Sequence, residues 1–215
     1  MVDQALRPDW NRLYGIASSQ EGQFTTAQAC EAGYSPQLLQ KHLKGGRIRR
    51  IARGIYRVVH YPEGDHEDLV AAWLWSDRAG TFSHETALAL HELSDALPAS
   101  IQMTVPARWA GRRLRVPRGL ILHYADIAEN ARGWVGSVRV TTVPRTLIDC
   151  AASSVEPRLV QEAFEDAVAR GLVDCRSIPT VAAYLKSFFP AFGSFCPPGL
   201  WALILMSPSR PTPGQ

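Results

Sequence analysis

The sequence predicts an α+β protein, with an N-terminal winged helix-turn-helix followed by a mixed α/β domain. Capped helices separated by glycines, and an arginine-rich hairpin pattern after them, predict the first part. Helical and strand-like runs that alternate with Gly and Pro predict the second part. We therefore expect a winged helix-turn-helix domain at 1–60, a mixed α+β domain at 61–185 and an uncharged, Pro-rich, irregular tail at 186–215.

The composition of the 215 residues excludes several protein classes. Apolar residues make up 46% and charged residues 20%, which is typical of soluble chains and excludes disordered and fibrous proteins. The polar start MVDQALRPDW lacks the apolar run of a signal peptide, so we expect a cytoplasmic protein. The cysteines form no CxxC pair, which argues against a zinc finger, a redox dithiol or a disulfide scaffold. They are Cys30, Cys150, Cys175 and Cys196.

Positive charge is concentrated in the first 60 residues. This part holds nine Lys and Arg against four Asp and Glu, whereas the remainder holds fourteen basic and sixteen acidic residues. Seven basic residues and no acidic one lie between Lys41 and Arg57. Such a block predicts a polyanionic partner for the N-terminal part, with a solvated charged face as the alternative.

Two short helices are predicted before residue 33. Asp9 is a usable N-cap for an amphipathic helix at 10–19. Phe24 then precedes the capping box Thr25-Thr26-Ala27-Gln28, which predicts a second helix at 26–32 that ends at Gly33.

A third helix begins at Ser35-Pro36, which combines an N-cap with a proline at the first helical position. It ends at Gly45-Gly46. The leucines at 38, 39 and 43 fall on one side, which we expect to be buried, and polar residues fall on the other. The polar residues are Gln37, Gln40, Lys41 and Lys44.

The segment RIRRIARGIYRVV predicts a β-hairpin with a basic rim and a turn at Ala52-Arg53-Gly54. Helix, helix–turn–helix and basic hairpin together form the plan of a winged helix-turn-helix. Its exposed polar helix suits the major groove, and its cationic ribbon suits phosphates. We therefore predict DNA binding, with a protein contact through the same fold as the alternative.

The individual DNA contacts follow from this plan. Ser35, Gln37 and Gln40 lie where base edges are read, and glutamine suits adenine. Thr25 and Thr26 lie at a helix N-terminus, where a phosphate binds well. Capping is the alternative role for Ser35 and Thr25, and a solvated charge is the alternative for the basic residues. The predicted phosphate contacts are Lys41, Lys44, Arg47, Arg49, Arg50 and Arg53.

The elements of residues 61–185 are predicted from caps and apolar patterns. Asp65 is expected to cap the helix of HEDLVAAWLWSD, and Ser83 the helix of HETALALHEL. Pro144 is expected at the first position of a helix that runs to Ala152. Strands are expected at 101–105, 120–124 and 138–143, and an amphipathic helix at 159–171 that Gly171 ends.

Candidate catalytic groups are few. Ser83-His84-Glu85 has the residue types of a catalytic triad, but neighbouring residues on one helix point in different directions, so we expect a capping serine. His84 and His91 lie seven residues apart without a third ligand nearby, so no metal is expected.

Nuclease and nucleotide-binding motifs are incomplete or absent in the sequence. Glu162, Glu165 and Asp166 form an acidic cluster, but a restriction-like nuclease needs an E-x-K element, and residues 61–215 contain none. The chain has no P-loop, GxGxxG or GxSxG motif. We expect no catalytic residue, no cofactor and no enzymatic activity.

The C-terminal tail is apolar apart from Gly, Pro and Ser between Phe188 and Met206. This length approaches a membrane span. Pro190 and the pair Pro197-Pro198 argue against an anchor, because they free backbone groups that lipid cannot satisfy. We expect no membrane partner.

The run GQFTTAQACEAGYSPQLLQKHLKGGRIRRIARGIYRV resembles the winged-helix domain of AbiEi-type antitoxins, the regulator half of type IV toxin–antitoxin systems. The ribbon pattern G-x-[IL]-x-R-[LIV]-x-x-G-[LIV]-Y is matched from Gly46 to Tyr56. The stretches TFSHETALALHEL, IQMTVP and VRVTTVPRTLIDCA resemble the downstream, antitoxin-type domain of the same family. Together the matched segments reach from about residue 10 to about residue 185.

The resemblance implies an autorepressor that binds its own operator as double-stranded DNA and is the antitoxin of a type IV pair. It implies a nucleotidyltransferase-like toxin as partner, neutralised with or without direct contact. The alternatives are a protein-interaction adaptor, an orphan winged-helix regulator without a toxin, and a winged-helix fragment of a restriction-like nuclease.

Overall fold

The structure, a computed structural model, describes residues 7–95, 98–153, 155–174 and 176–189. Its N-terminal part contains three helices and one small antiparallel sheet of strand order β1-β3-β2. These elements enclose a core that includes Leu13, Phe24 and Leu39. The winged helix-turn-helix is therefore confirmed. Its elements are α1 (Trp10–Ser18), β1 (Gln23–Thr25), α2 (Thr26–Glu31), α3 (Pro36–Lys44), β2 (Ile48–Ala52) and β3 (Ile55–Val58).

The predicted caps set the starts of these helices. Asp9 accepts a hydrogen bond from the Arg12 amide at 3.0 Å. The capping box of α2 is complete, since the Thr25 hydroxyl accepts from the Gln28 amide and the Gln28 side chain accepts from the Thr25 amide. Strand β1 was not predicted, and it places Phe24 against the ring of Tyr56 with a centroid separation of 5.8 Å.

Among the described residues, the second part contains a five-stranded mixed sheet of order β6-β5-β4-β8-β7 and five α-helices. The pairs β4–β8 and β5–β6 are parallel, and β4–β5 and β7–β8 are antiparallel. Its elements are α4 (Glu67–Trp75), β4 (Thr81–Phe82), α5 (His84–Leu90), β5 (Ile101–Val105), β6 (Leu120–Tyr124), β7 (Arg132–Val135), β8 (Val138–Thr141), α6 (Val143–Ala152), α7 (Pro157–Ala169) and α8 (Pro179–Phe188).

Two hydrophobic cores lie in this second part. One contains Val70 and Trp73 of α4 together with Phe82 and Met103 of the sheet. The other joins α5 to α6, α7 and α8 around Phe164. The mixed α/β class is therefore confirmed.

Several sequence expectations for this part were wrong in detail. Asp65 does not cap α4, which begins after His66 without a side-chain cap. Pro144 is the second residue of α6, because the helix begins at Val143. Strand β8 ends at Thr141, two residues early, where Thr142 becomes the N-cap of α6. The unpredicted elements are β4, β7 and α8; β4 has only two residues and therefore no readable alternation.

The predicted boundary at residue 60 is crossed by several hydrogen bonds. Gln23 donates to the carbonyl of Glu67 at 2.7 Å, and Glu21 accepts from the His66 amide and from the Ser137 hydroxyl. Ile55 of the wing packs in the same core as α4. The two parts are thus closely joined, and the division at 60 stays a prediction.

Helix α8 crosses the second predicted boundary, at residue 185, and ends at Phe188. Cys175, Cys196 and the tail from Pro190 onward lie outside the described residues. Within the part of the chain that the structure describes, no helix has the length and apolar character needed to cross a bilayer.

Candidate nucleic-acid interface

Helix α3 presents one apolar and one polar side, as the leucine spacing predicts. Leu39 is buried, while Leu38 and Leu43 are half-buried against the N-terminal core. The opposite side is open to solvent and borders a shallow groove formed with Thr26 of α2 and Tyr56 of β3. The exposed residues are Ser35, Gln37, Gln40, Lys41 and Lys44.

Ser35 and Thr25 both serve as helix caps. The Ser35 hydroxyl oxygen accepts from the Leu38 amide at 3.2 Å, and that of Thr25 accepts from the Gln28 amide at 3.2 Å. Each hydroxyl keeps its proton for a further acceptor, because a hydroxyl both donates and accepts. The capping role is therefore present at both residues and leaves a donor available.

The β2–β3 hairpin, which we call the wing, turns at Arg53-Gly54 with a Gly54 φ of +78°. Arg49, Arg50 and Arg53 are all exposed. Arg50 Nε donates to the carbonyl of Ala52 at 3.2 Å, and Arg49 lies 3.6 Å from Glu67 with half of its side chain exposed.

Thr26 connects the wing to the helix-turn-helix. Its amide and its hydroxyl donate to the Gly54 carbonyl at 2.9 and 3.3 Å. The same residue borders the groove with Gln37 and Gln40. The exposed side of α3, the start of α2 and the tip of the wing thus form one continuous surface.

Arg57 is the one member of the basic block that the fold removes from this surface. Only 3% of its side chain is exposed, and its guanidinium donates to Glu67 at 2.6 Å and to the carbonyls of Tyr61 and Pro62. The charge block read from the sequence therefore overstates the surface charge by one.

His42 contributes little positive charge to the interface. Its ring stacks on Trp10 at 5.9 Å, and partial burial together with Arg47 and Lys41 lowers its pKa. The cationic surface is therefore supplied by lysine and arginine.

A polar network centred on the buried His84 lies in the second part, between α5, α6 and strands β5 and β6. His84 Nδ1 is 2.9 Å from the Ser83 hydroxyl, and Nε2 is 2.9 Å from that of Ser153. The His84 and His123 rings stack at 3.6 Å, and His123 also contacts Gln102.

The sequence did not predict the contact between the side chains of Ser83 and His84. His84 has a φ of +55°, a left-handed conformation that turns its ring back onto Ser83. Ser83 does occupy the N-cap position, but its side chain makes no cap bond and instead contacts Thr104 at 2.8 Å.

This network lacks the arrangement of a catalytic triad. Glu85 accepts from Gln102 rather than orienting His84, and no described carboxylate contacts the His84 ring. Ser83 is fully buried, and burial lowers the pKa of His84 to about 4. The neutral ring is held by hydroxyl partners, which is the pattern of a satisfied core polar group.

Two members of the network, Gln102 and His123, gave no signal in the sequence. His123 is a single histidine in an apolar strand, and only the parallel pairing of β5 with β6 brings it beside Gln102 and Thr104. Across the described ranges, no group of three or more His, Cys, Asp or Glu side chains is placed to hold a metal ion.

Comparison with known proteins agrees with the N-terminal geometry. Residues 11–59 match the sequence model of a family described as transcriptional regulator, AbiEi antitoxin. The match spans α1 to β3, and it confirms the resemblance for this segment.

The chain is also similar to the crystal structure of the RV2827C protein from Mycobacterium tuberculosis. The two are 15% identical, the similarity covers 86% of this chain and 83% of that chain, and the TM-score is 0.43. No curated protein sequence matches the chain.

Proposed function

We propose that this protein is a DNA-binding transcriptional regulator that represses its own genes and is the antitoxin of a type IV toxin–antitoxin pair. The observation that carries the proposal is the continuous exposed surface of α3, the α2 N-terminus and the wing. The family match of residues 11–59 supports the regulator and antitoxin roles.

The roles of the residues divide by position. Gln37 and Gln40 stand on the exposed side of α3, where a helix in the major groove meets base edges. Ser35 has a hydroxyl proton to donate, and Thr25 and Thr26 stand at the start of α2, where backbone amides favour a phosphate. The remaining contacts are to phosphates, and they come from Lys41, Lys44, Arg47, Arg49, Arg50 and Arg53.

Binding to duplex DNA should be measured by fluorescence anisotropy, with the DNA directly upstream of the protein's own coding sequence and a scrambled duplex of equal length. If about five basic residues contact phosphates, affinity should fall by roughly two to three decades between 50 and 200 mM salt. A flat salt response would contradict the basic surface assigned here.

The proposed recognition of DNA bases by α3 is tested with Gln40→Ala. This change should reduce the preference at one base position by about 1–3 kcal/mol, whereas Arg53→Ala should weaken both duplexes alike. Asn130→Ala removes an exposed amide in the second part and is the control. Equal losses on both duplexes for Gln40→Ala would reject α3 as the reading helix.

The antitoxin role is tested by co-expression with a nucleotidyltransferase-like protein encoded beside this gene. The wild-type chain should restore growth. The double variant Arg50→Ala/Arg53→Ala should restore it too while derepressing a reporter, because the downstream domain is assigned to neutralisation. If no growth defect is rescued, the protein is a regulator without a toxin.

A further inference from the structure

A cavity of about 390 Å³ lies between the helix-turn-helix and the second part of the chain. One wall comes from α1 and α2, through Ile16 and Gln28. The other comes from α4 and the β7–β8 hairpin, through Trp73 and Trp134. Small-molecule pockets of roughly 300–1,000 Å³ commonly lie at such junctions.

Hydrogen bonds between the two parts hold the walls of this cavity in place. Glu21 accepts from the Ser137 hydroxyl at 2.8 Å and from the His66 amide at 3.1 Å. Ser137 itself lines the cavity. The cavity is therefore formed before any ligand arrives, which lowers the cost of binding.

Trp134 provides an aromatic surface at the mouth of the cavity. It is 57% exposed, although tryptophan is usually well buried. Its ring packs against Trp73 in a T-shaped pair with centroids 5.5 Å apart, and the Arg139 guanidinium lies 5.7 Å from its centroid. These contacts orient the indole, and its exposed area suits the stacking of another flat ring.

The buried lining of the cavity supplies two N–H donors. Trp73 is only 7% exposed, and its indole Nε1 is buried without a hydrogen-bond partner among the described residues. Gln28 Nε2 donates to Gln20 at 2.8 Å, which leaves its second N–H without a described acceptor. Buried donors are nearly always paired, so a ligand that carries acceptors would satisfy them.

The exposed lining is electrically balanced. Glu31 and Arg78 lie there with opposite charges, so the cavity does not favour an anion such as a phosphate. Ser19 and Ser137 also line it, and each donates its hydroxyl proton to a protein oxygen. Their lone pairs remain available, so the exposed lining accepts hydrogen bonds from a ligand.

We propose that this cavity binds an uncharged purine, as the free base or the nucleoside. The bicyclic ring lies against Trp134, and its unprotonated ring nitrogens accept from Trp73 Nε1 and Gln28 Nε2. Amino or ribose hydroxyl groups donate to Glu31 and the serine oxygens. The cavity shares no residue with the candidate nucleic-acid interface, so this proposal goes beyond DNA binding and does not depend on it.

Isothermal titration calorimetry on the full chain tests the proposal with adenosine, guanosine and uridine as probes. The two purine nucleosides should bind. Uridine should bind more weakly, because its single ring covers less of Trp134. Adenosine at 100 times its dissociation constant should also raise the melting temperature, since it binds the folded chain alone.

Trp134→Ala removes the stacking surface and should weaken adenosine binding by roughly 5- to 150-fold, as loss of a base–aromatic stack does. Trp134→Phe should restore most of the affinity. Trp73→Phe keeps a ring but removes the unpaired N–H, and it should weaken binding by roughly 2- to 12-fold. The matched control is Tyr124→Ala, which removes a 44% exposed aromatic side chain outside the cavity and should keep the wild-type affinity.

Thermal melting without ligand verifies that each variant is folded, and Trp134 is exposed enough for its variants to remain so. The proposal is overturned if neither purine nucleoside binds the wild-type chain at millimolar concentration. An equal loss in Trp134→Ala and Tyr124→Ala would place the ligand elsewhere and reject the cavity. Uridine affinity equal to that of adenosine would reject the purine. None of these results bears on the proposed DNA binding, which the duplex titrations measure separately.

Discussion

Removal of the Glu67 carboxylate should destabilise the protein far more than an ordinary surface change, because it isolates a buried charge. Only 3% of the Arg57 side chain is exposed, and Glu67 is its one anionic partner among the described residues. Loss of one partner from a buried pair costs about 3–5 kcal/mol. Arg57 keeps two carbonyl acceptors in Glu67→Ala, so we expect a loss of about 3 kcal/mol, at the low end of that range.

The reverse change should cost less. Glu67 is 23% exposed, so in Arg57→Leu water reaches the carboxylate, which also keeps the Gly64 amide as a donor. If only the ion pair mattered, the two variants should lose the same stability. A larger loss in Glu67→Ala than in Arg57→Leu shows that the cost comes from leaving the buried Arg57 charge without a partner.

Urea unfolding followed by tryptophan fluorescence measures these differences, since tryptophans lie in both parts, Trp10 in the first and Trp73 in the second. Glu129→Ala is the control, because Glu129 is 75% exposed and its pairs with Arg132 and Arg139 should contribute about 1 kcal/mol or less. If Glu67→Ala destabilises no more than Glu129→Ala, the account of Arg57 as a buried, carboxylate-dependent charge is refuted.

Three further predictions concern stability. Burial lowers the pKa of His84 to about 4, so as the pH falls below about 6.5 this histidine is protonated in the unfolded chain but stays neutral in the folded one. The free energy of unfolding should therefore fall by up to about 3 kcal/mol toward pH 4. Asp149 opposes part of this loss, because burial raises its pKa and the folded chain then binds a proton there. His84→Asn should flatten the decline, and a variant with the wild-type pH profile in urea titrations would contradict this. Gly54→Ala should destabilise the protein by roughly 1 kcal/mol, because alanine is strained at a φ of +78°. The added Cβ would lie 3.6 Å from the Thr26 hydroxyl, so no clash contributes. Gly133→Ala is the control: its Cβ would meet open space at a φ that is not positive, so thermal melting should show no loss. Leu39→Ala should cost about 2–5 kcal/mol by the same measurement, and a loss below that of Gly54→Ala would show that α3 is not anchored by this side chain.

The sequence by itself determined the helices and the wing of the N-terminal part. A cap needs only residues three positions apart, as at Asp9, Thr25 and Ser35, so its signal survives in the linear chain. The turn at Gly54 is local in the same sense, since it depends on one residue that tolerates positive φ. The exposed and buried sides of α3 likewise follow from helical spacing alone.

The tertiary structure decided which residues of the basic block remain at the surface. Strand β3 is central in its sheet, between β1 and β2, and α4 covers its second face. Because side chains alternate along a strand, Tyr56 and Val58 face the N-terminal core, while Ile55 and Arg57 face α4. Nothing in the run of arginines distinguishes Arg57 from Arg53, since the difference lies in what packs above the strand.

In the second part, too, packing between elements distant in sequence decides contacts that the sequence does not predict. Ser83 and His84 are adjacent in sequence, yet their side chains meet only because the backbone at His84 is left-handed. In this conformation the His84 ring also stacks on His123 and contacts the Ser153 hydroxyl. Ala52 of the wing and Arg118 of the second part line one groove only because α4 packs between them. Interactions that depend only on neighbouring residues can be predicted from the sequence. Interactions that depend on residues distant in the chain, such as His123 and Ser153 around His84, form only when the chain has folded.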